Sequence, residues 1–234
     1  MRHRLLIAGV LLASVLVIAG CGGGGSTKTV TVSSQVAAGA HDYVQYACGQ
    51  CHGMRGRGGV SDYVPALTVV GKVLTEQRLK QIIDHGLGES QNPTRPYMPV
   101  WGGVIPARKV SELVAYIHAG FPAVPGATPP QVPTNKGLVA EGKALYAKDG
   151  CVNCHGEAGR GGVTNPQSPD KTIPPLSGKD FFKEFNTDKK ILDVIRSGSV
   201  IGQAPIVSMP HWGGILSQRD LEALVAFIKS LKQN

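Results

Sequence analysis

At 234 residues, 42% hydrophobic but only 6% aromatic, the chain has room for one large domain or two small ones, and small cores of this kind need support from something besides aromatic packing. The 24 Lys and Arg against 16 Asp and Glu give a net charge of +8, without basic runs interleaved with aromatics, which argues against nucleic acid as a partner. Of five cysteines, four fall in two Cys-x-x-Cys-His units, so no framework of long-range disulfides is available and a stapled secreted scaffold is excluded.

Residues 1–21 have the three parts of an export signal. Arg2 and Arg4 supply positive charge, Leu5 to Ala19 an apolar run, and small residues precede Cys21. Ile18-Ala19-Gly20-Cys21 resembles the lipobox of bacterial lipoproteins, which implies lipidation of Cys21 as the new N-terminus. The alternative is an uncleaved anchor, but the apolar run falls short of the ~20 residues a bilayer usually requires. Both readings place the remainder outside the cytoplasm and tethered to a bacterial membrane, in the periplasm or on the cell surface. Residues 22–35, GGGGSTKTVTVSSQ, are a flexible tether that spans on the order of 20 Å as a random coil.

The rest of the chain is a tandem duplication. Residues 48–60, CGQCHGMRGRGGV, return as CVNCHGEAGRGGV at 151–163, and a shift of 103 also places Gly39 on Gly142 and Tyr43 on Tyr146. A shift of 111 aligns Met98-Pro99 with Met209-Pro210, and Trp101-Gly102-Gly103 with Trp212-Gly213-Gly214. The difference is absorbed mainly by an insertion after Val163. The predicted domains are therefore 36–120 and 136–234, joined by the Pro-rich linker 121–135, which is expected to hold the halves apart while limiting their swing.

Both halves read as helical. One helix precedes each cysteine unit, and a further one is expected at 75–85 and at 187–197. In the final helices Val110, Leu113, Val114 and Ile117 follow the i, i+3, i+4, i+7 pattern, as do Leu221, Leu224, Val225 and Ile228. Ser111 and Ser217 are the expected caps of these helices. Gly39 and Gly142 each cost a helix about 1 kcal/mol relative to Ala, so a close helix crossing at Tyr116 and Phe227 is the expected reason for them.

Cys-x-x-Cys-His has three chemical readings. Structural zinc requires four ligands, and each half offers one trio without a second Cys or His pair. A thioredoxin-like redox pair requires a βαβ context, which the helical pattern denies. The remaining reading is c-type haem attachment, with Cys48 and Cys51, then Cys151 and Cys154, bonded to the porphyrin and His52 and His155 bound to iron. For the opposite axial position the duplication acts as a filter. His41, His85, His118, His211 and Met54 have no counterpart in the other half and read as surface or local structural residues. Met98 and Met209 recur, each before a proline on a Pro- and Gly-rich loop, and a thioether ligand raises the reduction potential as electron transfer requires.

With those residues in place, each half resembles the class I cytochrome c domain: Cys-x-x-Cys-His, then Pro-x-Leu, then Met-Pro-x-Trp-Gly-Gly ahead of an amphipathic helix. The whole resembles the tandem, dihaem members of that group. The resemblance implies an all-α fold of two cytochrome c-like domains holding two haem c groups. It also implies that the carbonyls of Pro65 and Pro174 accept the proximal histidine NH, that Leu67 and Leu176 pack on the haem, and that Trp101 and Trp212 lie beside it within reach of a propionate. Arg57 and Arg160, repeated in the Gly-Arg-Gly-Gly-Val loop, are candidates for neutralising propionates. The first half lacks a long loop before Pro65. The insertion around Asn165 to Thr172 implies a more covered haem edge in the second.

The expected function is single-electron transfer between respiratory redox proteins, with a quinol-oxidising complex and a terminal oxidase or reductase as partners. The mild positive field suits docking on acidic protein faces. A dihaem peroxidase-like enzyme is one alternative, though it would leave one iron open and treat the halves unequally. A bound subunit of a larger membrane oxidoreductase is another. No catalytic acid, base or nucleophile set is predicted.

Overall fold

The computed structural model describes residues 32–233, apart from 61, 63, 88–97, 166–167 and 199–208. The export signal, Cys21 and most of the tether lie outside the described residues. Residues 32–234 form one compact unit.

In the first half α1 (Ser34–Gln45) leads into the short α2 (Cys48–His52). Then come α3 (Val70–Val73), α4 (Glu76–His85) and α5 (Ala107–His118). The second half repeats the order with α6 (Leu138–Lys148), α7 (Cys151–His155), α8 (Lys179–Glu184), α9 (Asp188–Ser197) and α10 (Gln218–Ser230). Among the described residues there is no strand, only isolated bridges joining Leu87 to Met98 and Thr164 to Thr172. Nor is any described helix long and apolar enough to cross a membrane.

Each half is organised by a crossing of its first and last long helices. The apolar stripe predicted in the last helix is the core: Val110, Leu113 and Ile117 are buried in α5, and Leu221, Leu224 and Ile228 in α10. Contact at the crossing is possible only because a side chain is missing. A Cβ on Gly39 would run into the Glu112 carbonyl and lie 2.8 Å from Tyr116 Cβ, and one on Gly142 would run into the Ala223 carbonyl and lie 2.8 Å from Phe227 Cβ. In the first half Tyr43, Tyr116 and Phe121 close the core edge to face, with centroids 5.0 to 5.8 Å apart.

The two expected middle helices, α4 and α9, start at matching caps. Thr75 accepts from the Arg78 amide at 3.2 Å and Thr187 from the Lys190 amide at 3.3 Å, each satisfying an otherwise orphaned donor. Ser217 caps α10 through a full capping box with Asp220. Ser111 does not cap α5. That helix begins right after Pro106, and the Ser111 hydroxyl, a turn inside it, donates back to the Ala107 carbonyl at 3.1 Å.

The Pro-rich segment also differs from a spacer. Its first residue, Phe121, is 1% exposed in the first core, Val124 and Ala127 pack against that core, and Val132 packs against the second. The halves touch: the Asn153 amide donates to the Gln45 carbonyl at 2.8 Å, and a Cβ on Gly150 would lie 2.8 Å from that of Ala47. Apolar residues between the prolines give the segment somewhere to dock, and it lies along the protein instead of holding two bodies apart.

Candidate functional site

In each half a tyrosine from the first helix holds the cysteine turn. Tyr43 Oη donates to the Gly53 carbonyl at 2.9 Å and accepts from the Gly56 amide at 3.2 Å; Tyr146 Oη donates to the Gly156 carbonyl at 2.7 Å. Burial pushes both phenols well above the usual range, so they stay protonated and act as donors.

The loop that follows folds back on the turn. Gly58 N donates to the His52 carbonyl and Leu67 N to the Gly56 carbonyl, each at 2.7 Å; Gly161 N and Leu176 N make the same bonds to His155 and Gly159 at the same distance. That return places Pro65 beside His52, whose Nδ1 lies 2.9 Å from the Pro65 carbonyl. An Nδ1–H donated there leaves Nε2 as the nitrogen with a free lone pair. His155 Nδ1 is buried and forms no hydrogen bond, although the nearby Pro174 carbonyl partly offsets the effect of burial on the ring. Burial holds both imidazoles neutral, lowering His52 and bringing His155 down to about 4, and neutral imidazole is the metal-binding form.

The methionines arrive on the segment after the middle helix. Trp101 N donates to the Ile83 carbonyl at 3.0 Å and Trp212 N to the Ile195 carbonyl at 3.2 Å, so each Met-Pro-x-Trp run is pinned to the end of α4 or α9. Gly86 and Gly198 end those helices at φ +72° and +68°, and a Cβ on either would strike the carbonyl of Met98 or Met209. Here the duplicated glycines are needed for both the left-handed turn and the close approach.

These elements surround a predominantly apolar cavity of about 1080 Å³ that runs continuously through both halves. Cys48, Cys51, His52 and Met98 line its first part, and Cys151, Cys154, His155 and Met209 its second. Pro65, Leu67 and Trp101 join the first set, as Pro174, Leu176 and Trp212 join the second. The cavity's volume lies at the upper end of the range for ligand pockets, and its lining divides into two equivalent sets, which fits one group in each half. Burial pushes Cys48 up to about 12, and Cys51 and Cys154 each up to about 11, and raises Cys151 further. Such thiols are poor redox or zinc-thiolate sites. As apolar sulfurs facing the same space as an imidazole and a thioether, they fit a covalently attached haem.

Not every repeated residue joins the cavity. Arg57 and Arg160 are exposed and do not line it, while the glycines around them form the backbone return just described. The insertion of the second half closes on itself: Asn165 N donates to the Lys171 carbonyl at 2.9 Å and Ser168 Oγ to the Thr172 carbonyl at 2.7 Å. It presents Asn165, Asp170 and Ile173 to the cavity. Phe181 of α8 and Phe185, just past its end, stack at 4.9 Å and also line the cavity. His211, which has no counterpart in the duplicate, is buried.

Sequence reasoning missed Asp149, at the end of α6. Its side chain is fully buried, and Lys148 Nζ stands 3.5 Å away as its ion-pair partner. It borders the cavity where the halves meet, and burial pushes its carboxyl up to about 6.

An all-helical pair of domains, each lining a cleft with two thiols, an imidazole and a thioether, defines a c-type cytochrome with two haem c groups. Residues 34–117 and 137–228 match the model of the family described as cytochrome c oxidase, cbb3-type, subunit III, and the chain belongs to that family. It is 27% identical over 190 residues to the Cbb3-type cytochrome c oxidase subunit FixP of Azorhizobium caulinodans, covering 79% of this chain and 56% of FixP. The chain thus spans about half the length of that curated relative. Among solved structures, the c-type cytochrome XoxG of Methylobacterium extorquens AM1 is 26% identical over 38% of this chain and 52% of its own, with a TM-score of 0.32. A chain of the reducing HAO-like protein complex Kustc0457/Kustc0458 of Kuenenia stuttgartiensis is 20% identical over 87% of this chain and 98% of its own, with a TM-score of 0.31.

Proposed function

We propose that this protein is a membrane-tethered dihaem electron carrier that passes single electrons between respiratory redox proteins. The observation that carries the reading is the duplicated lining of the cavity: two thiols, one imidazole and one thioether in each half. Cys48 and Cys51 would attach the first haem, with His52 and Met98 as axial ligands. Cys151 and Cys154 would attach the second, with His155 and Met209. Each haem when bound supplies a one-electron ferric–ferrous couple.

The chain's own residues do the rest. Pro65 orients His52 through Nδ1, the methionine segments are pinned by the tryptophan amides, and the apolar walls exclude water, all of which favour a fixed and six-coordinate iron. Met98 and Met209, which line the same cavity as His52 and His155, would give each iron a second protein ligand and leave neither open, which favours a carrier over a peroxidase-like enzyme. Cys21 would be the lipidated residue, holding the protein at the extracytoplasmic face of the membrane, with a quinol-oxidising complex as donor and a terminal oxidase or reductase as acceptor.

Membership in an oxidase-subunit family, and likeness to a relative named as one, favour a second reading in which the chain works as a bound subunit of an oxidase. Co-purification from detergent-solubilised membranes separates the two. Mass spectrometry of protein matured in a c-type-competent host should show two haem adducts; fewer than two would overturn both. Replacement of Cys21 by Ser should abolish lipid labelling and release the protein from membranes, and unchanged membrane retention would sink the lipoprotein reading.

A further inference from the structure

Among the described residues of the cavity wall, Asp149 stands where the two halves meet and has no duplicate. The shift that superposes the cysteine units sets it opposite Tyr46. Its backbone N–H ends α6 by donating to the Leu145 carbonyl at 2.7 Å, which sets the residue immediately before Gly150, where the second half packs on Ala47 of the first. There it lines the cavity together with Cys51 of the first half and Cys151 of the second, and its negative charge adds to the effect of burial in raising both thiols. Even with Lys148 Nζ 3.5 Å away, an ionised carboxylate is costly to bury in such a place.

Resting on the haem assignment above, we propose that Asp149 is a shared potential-setting residue, a single buried carboxylate whose negative charge lowers the reduction potentials of both haems together. The sign follows from Coulomb's law: a nearby negative charge favours the more positive, oxidised state, and low polarity around it preserves the effect. The charged groups that reach Asp149 are Lys148 beside it and Asp220 of α10, and Cys51 of α2 and Cys151 of α7 face it as sulfurs that carry no charge once joined to haem. Lys148 is 28% exposed, so solvent screens it while the carboxylate stays sealed.

Electron uptake is then tied to a proton. One electron comes from the redox partner; near the midpoint of the carboxyl, Asp149 takes up part of one proton from solvent, and reoxidation releases both. Above that midpoint the carboxylate is ionised and holds the potentials down. Below it the acid is neutral and they rise.

The test is spectroelectrochemistry of the two-haem holoprotein at about pH 8 and about pH 5, with D149N and D149E beside the wild type. At the higher pH, D149N should move both one-electron waves upward. The change expected in the ratio of reduced to oxidised haem at fixed electrode potential is roughly tenfold, which for one electron is ~59 mV. The gap should close at the lower pH, and D149E should keep the wild-type values. A shift of one wave alone, of neither, or of both equally in D149E would overturn the proposal. D149S gives the same reading if the amide variant matures poorly. Mass spectrometry of each sample keeps the outcomes apart, because a wild type with fewer than two haem adducts refutes the haem assignment, whereas two adducts with unmoved waves refute only the role of Asp149.

Discussion

Gly142 in α6 rests directly on the backbone of Ala223 in α10, and Gly39 in α1 rests in the same way on Glu112 in α5. Both crossings pass backbone against backbone, with an aromatic Cβ from Tyr116 or Phe227 closing the other side. Substituting alanine at either glycine forces the helices apart, because carbonyl groups cannot yield as a flexible side-chain end can. Overpacking of this kind costs roughly 1–3 kcal/mol. Denaturant midpoints of the holoprotein should fall for Gly39→Ala and Gly142→Ala, and the loss should exceed any gain in helix propensity.

Replacing either methionine should act on one haem at a time. Met98→Ala or Met209→Ala should lower the potential of one wave, abolish half of the methionine-to-iron charge-transfer band, and let carbon monoxide bind one reduced iron. Carbon monoxide binding unchanged in both variants would remove Met98 and Met209 as ligands.

A third prediction concerns stability and pH. The Asp149 carboxyl is raised from 3.8 to about 6 in the folded protein. Between these values the native state binds more protons than the unfolded chain, so stability falls as pH rises through the interval. The penalty is complete above about pH 6 and absent well below 4. Asp149→Asn should therefore stabilise the protein near neutrality by up to ~3 kcal/mol, with no gain in acid. Thermal midpoints across that range check the sign.

The fourth contrasts two ion pairs. Arg219 donates to both oxygens of Glu141, at 3.0 and 2.8 Å, and Glu141 is 2% exposed. Arg219→Ala strands a buried carboxylate and should clearly lower the urea midpoint. Lys189 and Asp193, 2.5 Å apart on the surface of α9, should cost at most ~0.5 kcal/mol when either is removed. Urea titrations of Arg219→Ala and Lys189→Ala compare the two directly.

What could be read in the sequence was whatever the duplication wrote twice. The aligned glycines, cysteine units, methionines and tryptophans led to the helix crossings and the cavity wall, because each copy faces the same physical demand. The same filter misleads where a repeated residue merely travels with needed neighbours: Arg57 and Arg160 recur, but the glycines beside them do the folding back. It is blind to what is unique. Asp149 stands opposite Tyr46, and the Asn153 amide that reaches the Gln45 carbonyl stands opposite Gln50, so neither could be found by comparing halves. Ser111 looked like a cap because it sits near a helix start, yet Pro106 sets that start a turn earlier. Phe121 and Val124 looked like linker because prolines surround them, while their burial depends on a core formed by residues distant in sequence.

The seam between Ala47 and Gly150 gives the two copies fixed addresses. A chain assembled from two first halves would meet itself there with a phenol in place of the buried acid and without the asparagine clasp; one assembled from two second halves would bring two acids together. Descended from one ancestor, the copies have become left and right parts of a single device, and their order along the chain is now part of its chemistry.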